Sequence, residues 1–117
     1  MPAFAIGDLR HRLKLLAPVR TTHPTSGEDV VEYQHAATRW GALRPLTGRA
    51  FFAAQQAQKE ATHEGAIYFY RGFGPAWQVE FDGRRWALES VRNIDEVNQV
   101  IEFTAKEVQV GDGRSGT

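Results

Sequence analysis

Between Leu9 and Leu15 apolar and basic side chains alternate without a break. Leu9, His11, Leu13 and Leu15 fall on one side of an extended chain, and Arg10, Arg12 and Lys14 on the other. The pattern predicts a half-buried strand, with Pro18 beginning its end. Thr21 to Asp29, rich in Thr, Ser, Pro and Gly, reads as a loop. A second extended run carries Val31, Tyr33 and His35 on one face and then Trp40 and Ala42. The change of register near Ala36-Ala37 is the signature of a bulge. Pro45 stops this run, because it has no amide to donate to a ladder.

Thr47 then resembles an N-cap, and Arg49 to Glu60 holds Ala, Gln, Phe, Lys and Glu with no proline and no β-branched residue. One helix of about 13 residues follows from this stretch, about 20 Å long. Ala50, Ala53, Ala54, Ala57 and Ala61 share a side with Phe51 next to them, a surface suited to close packing on a sheet. Phe52, Gln55, Gln56 and Lys59 point elsewhere. Two adjacent aromatics lie ~100° apart on a helix, so Phe52 either straddles the core with Phe51 or faces a partner.

Past Gly65 the period returns to two. Ala66 to Arg71 is a β-branched and aromatic run, and Trp77, Val79 and Phe81 alternate with Gln78 and Glu80. Arg71 to Ala76, with Gly72, Gly74 and Pro75, is a loop. Asp82-Gly83 is the strongest hairpin signal in the chain, since a type I′ turn needs positive φ at both central residues. Trp86 to Val91 is the returning strand, Asn93 to Asn98 a polar turn, and Ile101, Phe103 and Ala105 mark a last strand.

The order is strand, strand, helix and four strands, with connections short enough for antiparallel pairing. The expected fold is mainly β: a small antiparallel β-barrel or sandwich of about six strands with one α-helix between the second and third strands. Residues 1–110 form a single domain and 111–117 a flexible tail.

Composition narrows this little. The 117 residues carry 14 Lys and Arg against 14 Asp and Glu, and no cysteine. That removes disulfides, thiolate catalysis and cysteine-based metal sites. A compact chain of this length has a radius of gyration of about 13 Å. No apolar run approaches the ~18 residues of a membrane span and the start lacks signal-peptide blocks, so the expectation is an intracellular protein with no membrane partner. Neutrality hides polarity: residues 1–60 hold eight bases and five acids, +3, and residues 61–117 six bases and nine acids, −3. Such asymmetry suits head-to-tail association between copies.

Catalytic chemistry is not visible. His11, His23, His35 and His63 are scattered without metal-ligand spacing, so no metal and no cofactor is expected. Gly72-Phe73-Gly74-Pro75 starts like a dinucleotide fingerprint but lacks the third glycine and the helix. No nucleophile elbow or phosphate loop occurs, and the expectation is that the chain is not an enzyme. Arg10, Arg12 and Lys14 project from one strand face about 7 Å apart and can meet DNA, an acidic neighbour or only water, the neighbour being favoured. Tyr68, Phe69, Tyr70, Phe73, Trp77, Phe81 and Trp86, interleaved with Arg71, Arg84 and Arg85, raise the alternative of a small barrel binding single-stranded nucleic acid. About half of these aromatics are core by their period of two.

The order of motifs resembles a known family. It runs from Gly7-Asp8-Leu9-Arg10-His11-Arg12-Leu13 through Thr38-Arg39-Trp40-Gly41-Ala42-Leu43-Arg44-Pro45-Leu46-Thr47-Gly48-Arg49. It continues through Gln55-Gln56-Ala57-Gln58 and Ala61-Thr62-His63 to Tyr70-Arg71, Phe81-Asp82-Gly83-Arg84 and Leu88-Glu89-Ser90-Val91. Over residues 5 to 108 the chain is similar to head-tail joining proteins of tailed bacteriophages and gene transfer agents, of the stopper or head-completion type. Tyr68-Phe69-Tyr70 stands where relatives have an arginine ahead of the third-strand aromatic.

The resemblance implies a ring at the neck of a virion or phage-like particle, assembled in the host cytoplasm, with a portal-adaptor protein above and a tail terminator or tail tube below. Double-stranded DNA passes through its channel and is retained there; a dodecamer is the implied copy number. In relatives the segment corresponding to Leu46–Glu64 can face the channel. Arg49, Phe52, Gln55, Gln56 and Lys59 are therefore channel or DNA-facing candidates. Arg10, Arg12, Lys14, Phe73 and Trp77 are candidates for subunit or partner contacts.

Overall fold

A computed structural model of the chain describes residues 4–57 and 60–109. Six strands are present: β1 (His11–Thr22), β2 (Asp29–Pro45), β3 (His63–Tyr68), β4 (Gln78–Phe81), β5 (Arg84–Asn93) and β6 (Val100–Val108). One α-helix, α1 (Gly48–Gln56), lies between β2 and β3. All pairings are antiparallel and the strands close in the order β1-β2-β3-β6-β5-β4, with β4 returning to β1 through Lys14↔Glu80, Leu15↔Val79 and Leu16↔Gln78. Closure removes the sheet edges that a six-stranded open sheet would expose.

The inward positions are those set by the period of two. Leu13, Leu15, Ile67, Val79, Trp86, Leu88, Ile101, Phe103 and Ala105 fill the barrel. Trp86, the largest fully buried side chain, is 2% exposed. Glycine makes room where the wall is tight. A Cβ at Gly65 would lie 2.5 Å from the Phe103 ring, and one at Gly41 would lie 2.9 Å from both Leu13 and Ile67. The Asp82-Gly83 turn has φ of 56° and 74°, as a type I′ hairpin requires.

A second, smaller cluster sits outside the barrel. Phe4 and Leu9, leading into β1, cover the outward-facing Ala42 of β2 and Ala66 of β3, with Tyr68 and Val100 beside them. Leu9 therefore does not share the interior with Leu13, as strict alternation predicts. A short 3₁₀ turn at Ile6–Asp8 redirects the chain and β1 starts only at His11. Arg44 lies 4.1 Å above the Phe4 ring, and Phe4 donates its amide to Glu102.

β1 does not end at Pro18. It runs on to Thr22 and pairs with β2 as far as Thr22↔Asp29, forming a hairpin arm that stands beyond the barrel. Past Leu16 neither strand has a second neighbour among the described residues, so the missing Pro18 amide breaks no ladder. The bulge expected near Ala36-Ala37 is present: Leu15 pairs with Ala37 and Leu16 with His35, leaving Ala36 as the extra residue where the arm leaves the barrel. The arm tip is tied by His23, whose Nδ1 accepts the amides of Thr25 and Ser26. With this arm the molecule extends 50 × 30 × 25 Å, and its radius of gyration is 15.1 Å instead of the compact value.

The helix differs most from expectation. It spans nine residues, and none of them is buried. Ala50, Ala53 and Ala57 are exposed and Ala54 half-buried, so the alanine side does not pack on the barrel. Thr47 occupies the N-cap position but its side chain makes no capping bond, and Gly48 takes φ of 54° to start the turn.

Candidate functional site

The helix is held at its base. The Leu46 amide donates to the Thr62 carbonyl at 2.9 Å, so the excursion that starts after Leu46 returns to the same point of the barrel wall. The Thr62 amide then bonds the Ala105 carbonyl, and its hydroxyl accepts the Glu107 amide at 3.1 Å. Ala61 is buried, and Glu60 is fixed twice: its carboxylate accepts from the Lys106 ammonium and its amide donates to Glu89 at 3.1 Å. The Lys106 contact holds the Glu60 carboxyl below its ordinary pKa and raises that of Lys106. The result is a short helix carried on an anchored base.

On that protrusion Arg49, Phe52, Gln55 and Gln56 are all exposed, and Phe52 is 67% exposed. Phe51, half-buried, meets the Phe52 ring edge-on with centroids 6.2 Å apart. The sequence left Phe52 between core and surface; it is on the surface, because the helix stands off the barrel. Lys59 lies outside the described residues, as does the tail at 111–117.

Beneath the protrusion the helix end of the barrel holds a charged and aromatic cluster. Arg84 and Glu107 pair through two bonds of 2.8 and 2.6 Å, and the Arg84 guanidinium lies 5.0 Å from the Trp86 ring. His63, 8% exposed, packs on Trp86 at 5.2 Å and shares a 2.8 Å hydrogen bond between its Nδ1 and the Thr62 hydroxyl. Burial, then the nearby Arg84 charge, push the His63 pKa down; Glu107 opposes them weakly. The folded protein therefore keeps His63 neutral at pH values where the unfolded chain is already taking up its proton. Stability is complete above the ordinary histidine value of about 6.5 and declines as the pH falls below it. Urea midpoints are expected to be lower at pH 5.5 than at pH 7.5, with a smaller difference for His63→Gln. An identical pH dependence in that variant would assign the effect to other groups.

On the outer face of the barrel Arg10, Arg12 and Lys14 are exposed, as the alternation requires. They are not equivalent. Lys14 pairs with Glu80 at 3.9 Å, while Arg12 lies 4.9 Å over the ring of Trp40, its register partner on β2. Trp40 is 46% exposed; the sequence placed it with Ala42 on one face of the second strand but did not number it among the contact candidates. Their shared parity holds, but the face they share is the outward one of β2, opposite Gly41, which turns toward Leu13 and Ile67.

Phe73 does not fit a partner surface. It is 6% exposed, packed against Phe103 at 6.0 Å and Trp77 at 5.5 Å, because the loop after β3 folds back into the barrel. Trp77 is half-buried between Tyr70 and Phe73, and lines an open groove of about 410 Å³ with Pro18, Arg20, Val31 and Tyr33 of the arm. The aromatics from Tyr68 to Trp86 that suggested stacked bases are all buried or half-buried. Among the described residues no group of three or more His, Asp and Glu side chains comes together as a metal site.

No curated protein matches the sequence. Among solved structures, the solution structure of protein SF1141 from Shigella flexneri 2a superposes with a TM-score of 0.67 at 15% identity, covering 92% of this chain and 100% of that one. A chain in the virion of the native gene transfer agent particle superposes with a TM-score of 0.55, also at 15% identity, over 86% of this chain and 96% of that one. At such identities the likeness establishes the fold. The family described as phage head completion protein matches residues 4–108, nearly every residue placed in the barrel and its helical protrusion, and the chain belongs to that family.

Proposed function

We propose that this protein is a head-tail connector of the stopper type, forming a ring below the portal and its adaptor and above the tail, and retaining packaged DNA until the tail opens. The observation that carries this reading is the match to the head completion family across the whole barrel, including the exposed helix between β2 and β3. A closed barrel fixes a subunit in a wall, and an anchored helix with no buried residue can reach into a channel without disturbing that wall. Arg49, Phe52, Gln55 and Gln56 give that helix one charge, one apolar group and two amides. Such a surface can touch a DNA end without the affinity of a basic groove, which suits DNA that is later released. Catalysis has no part in the reading. The single-stranded nucleic acid alternative loses support because its aromatics are all buried or half-buried.

Cryo-electron microscopy of particles carrying a tagged chain tests the placement. The expected result is a ring of copies at the neck with α1 toward the axis. Density confined to the capsid surface or to the tail tip would overturn it.

Phe52→Ala separates wall from channel. Since Phe52 is 67% exposed, its truncation should leave the melting temperature of the isolated protein within about a degree or two, a surface effect within ±0.5 kcal/mol. DNA retention, read as nuclease resistance of filled heads, should fall. A loss of about 3 kcal/mol in folding stability would place Phe52 in the core instead.

A further inference from the structure

The large apolar side chains that the described residues leave exposed fall in three places. Phe52 is on the helix; Val30 and Val31 are on the arm; Ile6, Trp40 and Val97 are on the barrel. The last three belong to one side. Trp40 faces outward from β2, and Tyr68 and Val100, outward-facing and register partners on β3 and β6, continue its row across the sheet. Ile6 and Val97 lie over the far end of that row, lining a shallow hollow of about 230 Å³ with Phe4, Ile94 and Val100. Contiguous exposed apolar surface of this kind, with an arginine-backed tryptophan inside it, is characteristic of protein contact sites.

The charges at the Trp40 end of the barrel patch are opposite to those on the arm, whereas the Ile6 and Val97 end carries Asp95. Arg10 and Arg12 border the barrel patch, and among the described residues no ion pair engages either guanidinium. On the arm Val30 shares a strand face with Glu32 and lies two residues from Glu28, while Val31 turns to the other face with Tyr33, into the groove beside Trp77. Asp29 pairs with Arg20 at 3.9 Å, whereas Glu28 and Glu32 have no such partner among the described residues. The arm also projects past the barrel, which places its acidic and apolar tip away from its own body.

We infer that the arm of one copy docks on the Trp40 face of the next, Val30 against Trp40, with Glu28 and Glu32 meeting Arg10 and Arg12. Such a contact uses two different surfaces of the same chain. It is heterologous, and repetition of it closes a ring when the rotation allows. The inference rests on the ring assembly proposed above, to which it adds the two surfaces and their order. Apolar contact holds the joint, and the charges set encounter and register.

The absence of cysteine from the sequence makes the test direct. Val30→Cys and Trp40→Cys, alone and together, are oxidised as concentrated purified protein and inside assembled particles. The double variant should give a ladder of disulfide-linked multimers; each single variant should give at most dimers. In a second arm, Arg10→Glu with Arg12→Glu should weaken self-association measured by sedimentation about tenfold, and adding Glu28→Lys with Glu32→Lys should restore it. Particles that join heads to tails while the double-cysteine chain within them forms no ladder would overturn the inference and leave the connector role standing. A ladder from a protein located away from the neck would do the reverse. Failure of the four-fold charge exchange to restore association, with both charge variants folded, would also overturn it.

Discussion

A particle-producing strain that lacks this chain is expected to accumulate heads and tails that do not join. On the closure role proposed above, the heads are expected to fill and then to lose DNA. Electron micrographs should show separate tails beside filled and emptied heads, nuclease should digest the released DNA, and infection or gene transfer should drop to background. Supplying the chain from a plasmid should reverse all three, and adding purified protein to extracts of the deletion strain should join the parts in vitro. Normal numbers of joined, DNA-retaining particles from the deletion strain would end the connector reading. The expectation rests on the family to which residues 4–108 belong and on the proposal that its role is closure.

Trp86→Ala is expected to be the most damaging single substitution in the fold. Trp86 pairs with Val79 on β4 and Glu107 on β6, so its ring lies where the strands bearing the closure meet. It fills the barrel beneath His63 and Arg84. Truncation of a buried tryptophan costs about 3–5 kcal/mol when the surroundings cannot collapse, and a closed ring of strands collapses poorly. A domain of this size has a total stability of about 5–15 kcal/mol, so the variant should melt on the order of 15 °C lower or fail to accumulate. Trp86→Phe is the informative companion. The indole N–H is buried and has no acceptor among the described residues, so phenylalanine loses ring area while removing an unpaired donor. It should cost far less than alanine. Equal losses for the two would mean that a phenyl ring cannot refill the space the indole occupies.

How much of this was legible in the sequence depends on which force decided each element. Where the local pattern and the global fold agree, as at Leu13 and Leu15, at Asp82-Gly83 and at the Ala36 bulge, the element followed from the chain itself. Pro18 misled because its penalty applies to a strand with two neighbours, and past Leu16 β1 has one. The alanines of α1 misled for a different reason. Alanine is the best helix former as well as a close-packing residue, so an alanine side predicts helix whether or not anything covers it. Here Ala50, Ala53 and Ala57 are exposed and Ala54 only half-buried, so among the described residues that side is not covered and an Ala54→Leu change costs less than it would on a buried face. Phe73 was legible as aromatic but not as core, because a loop has no period to reveal which side chain turns inward. Trp40 required knowledge of which strand face carries the Phe4 and Leu9 cluster, a contact between residues far apart in sequence.

The hairpin arm raises a question of recognition code. Each of its strands leaves one backbone edge open, and open edges bind any complementary strand through peptide groups, with little regard for side chains. This arm is guarded against that. Pro18 deletes a donor from one edge, the extra residue at Ala36 twists the other, and Arg20, Glu28, Asp29 and Glu32 place charge along both. Backbone pairing is thereby made unattractive and side chains are left to speak. A chain built so can be kept at high concentration before use without zipping into fibrils, and it reads its neighbour by residue identity instead of by strand geometry.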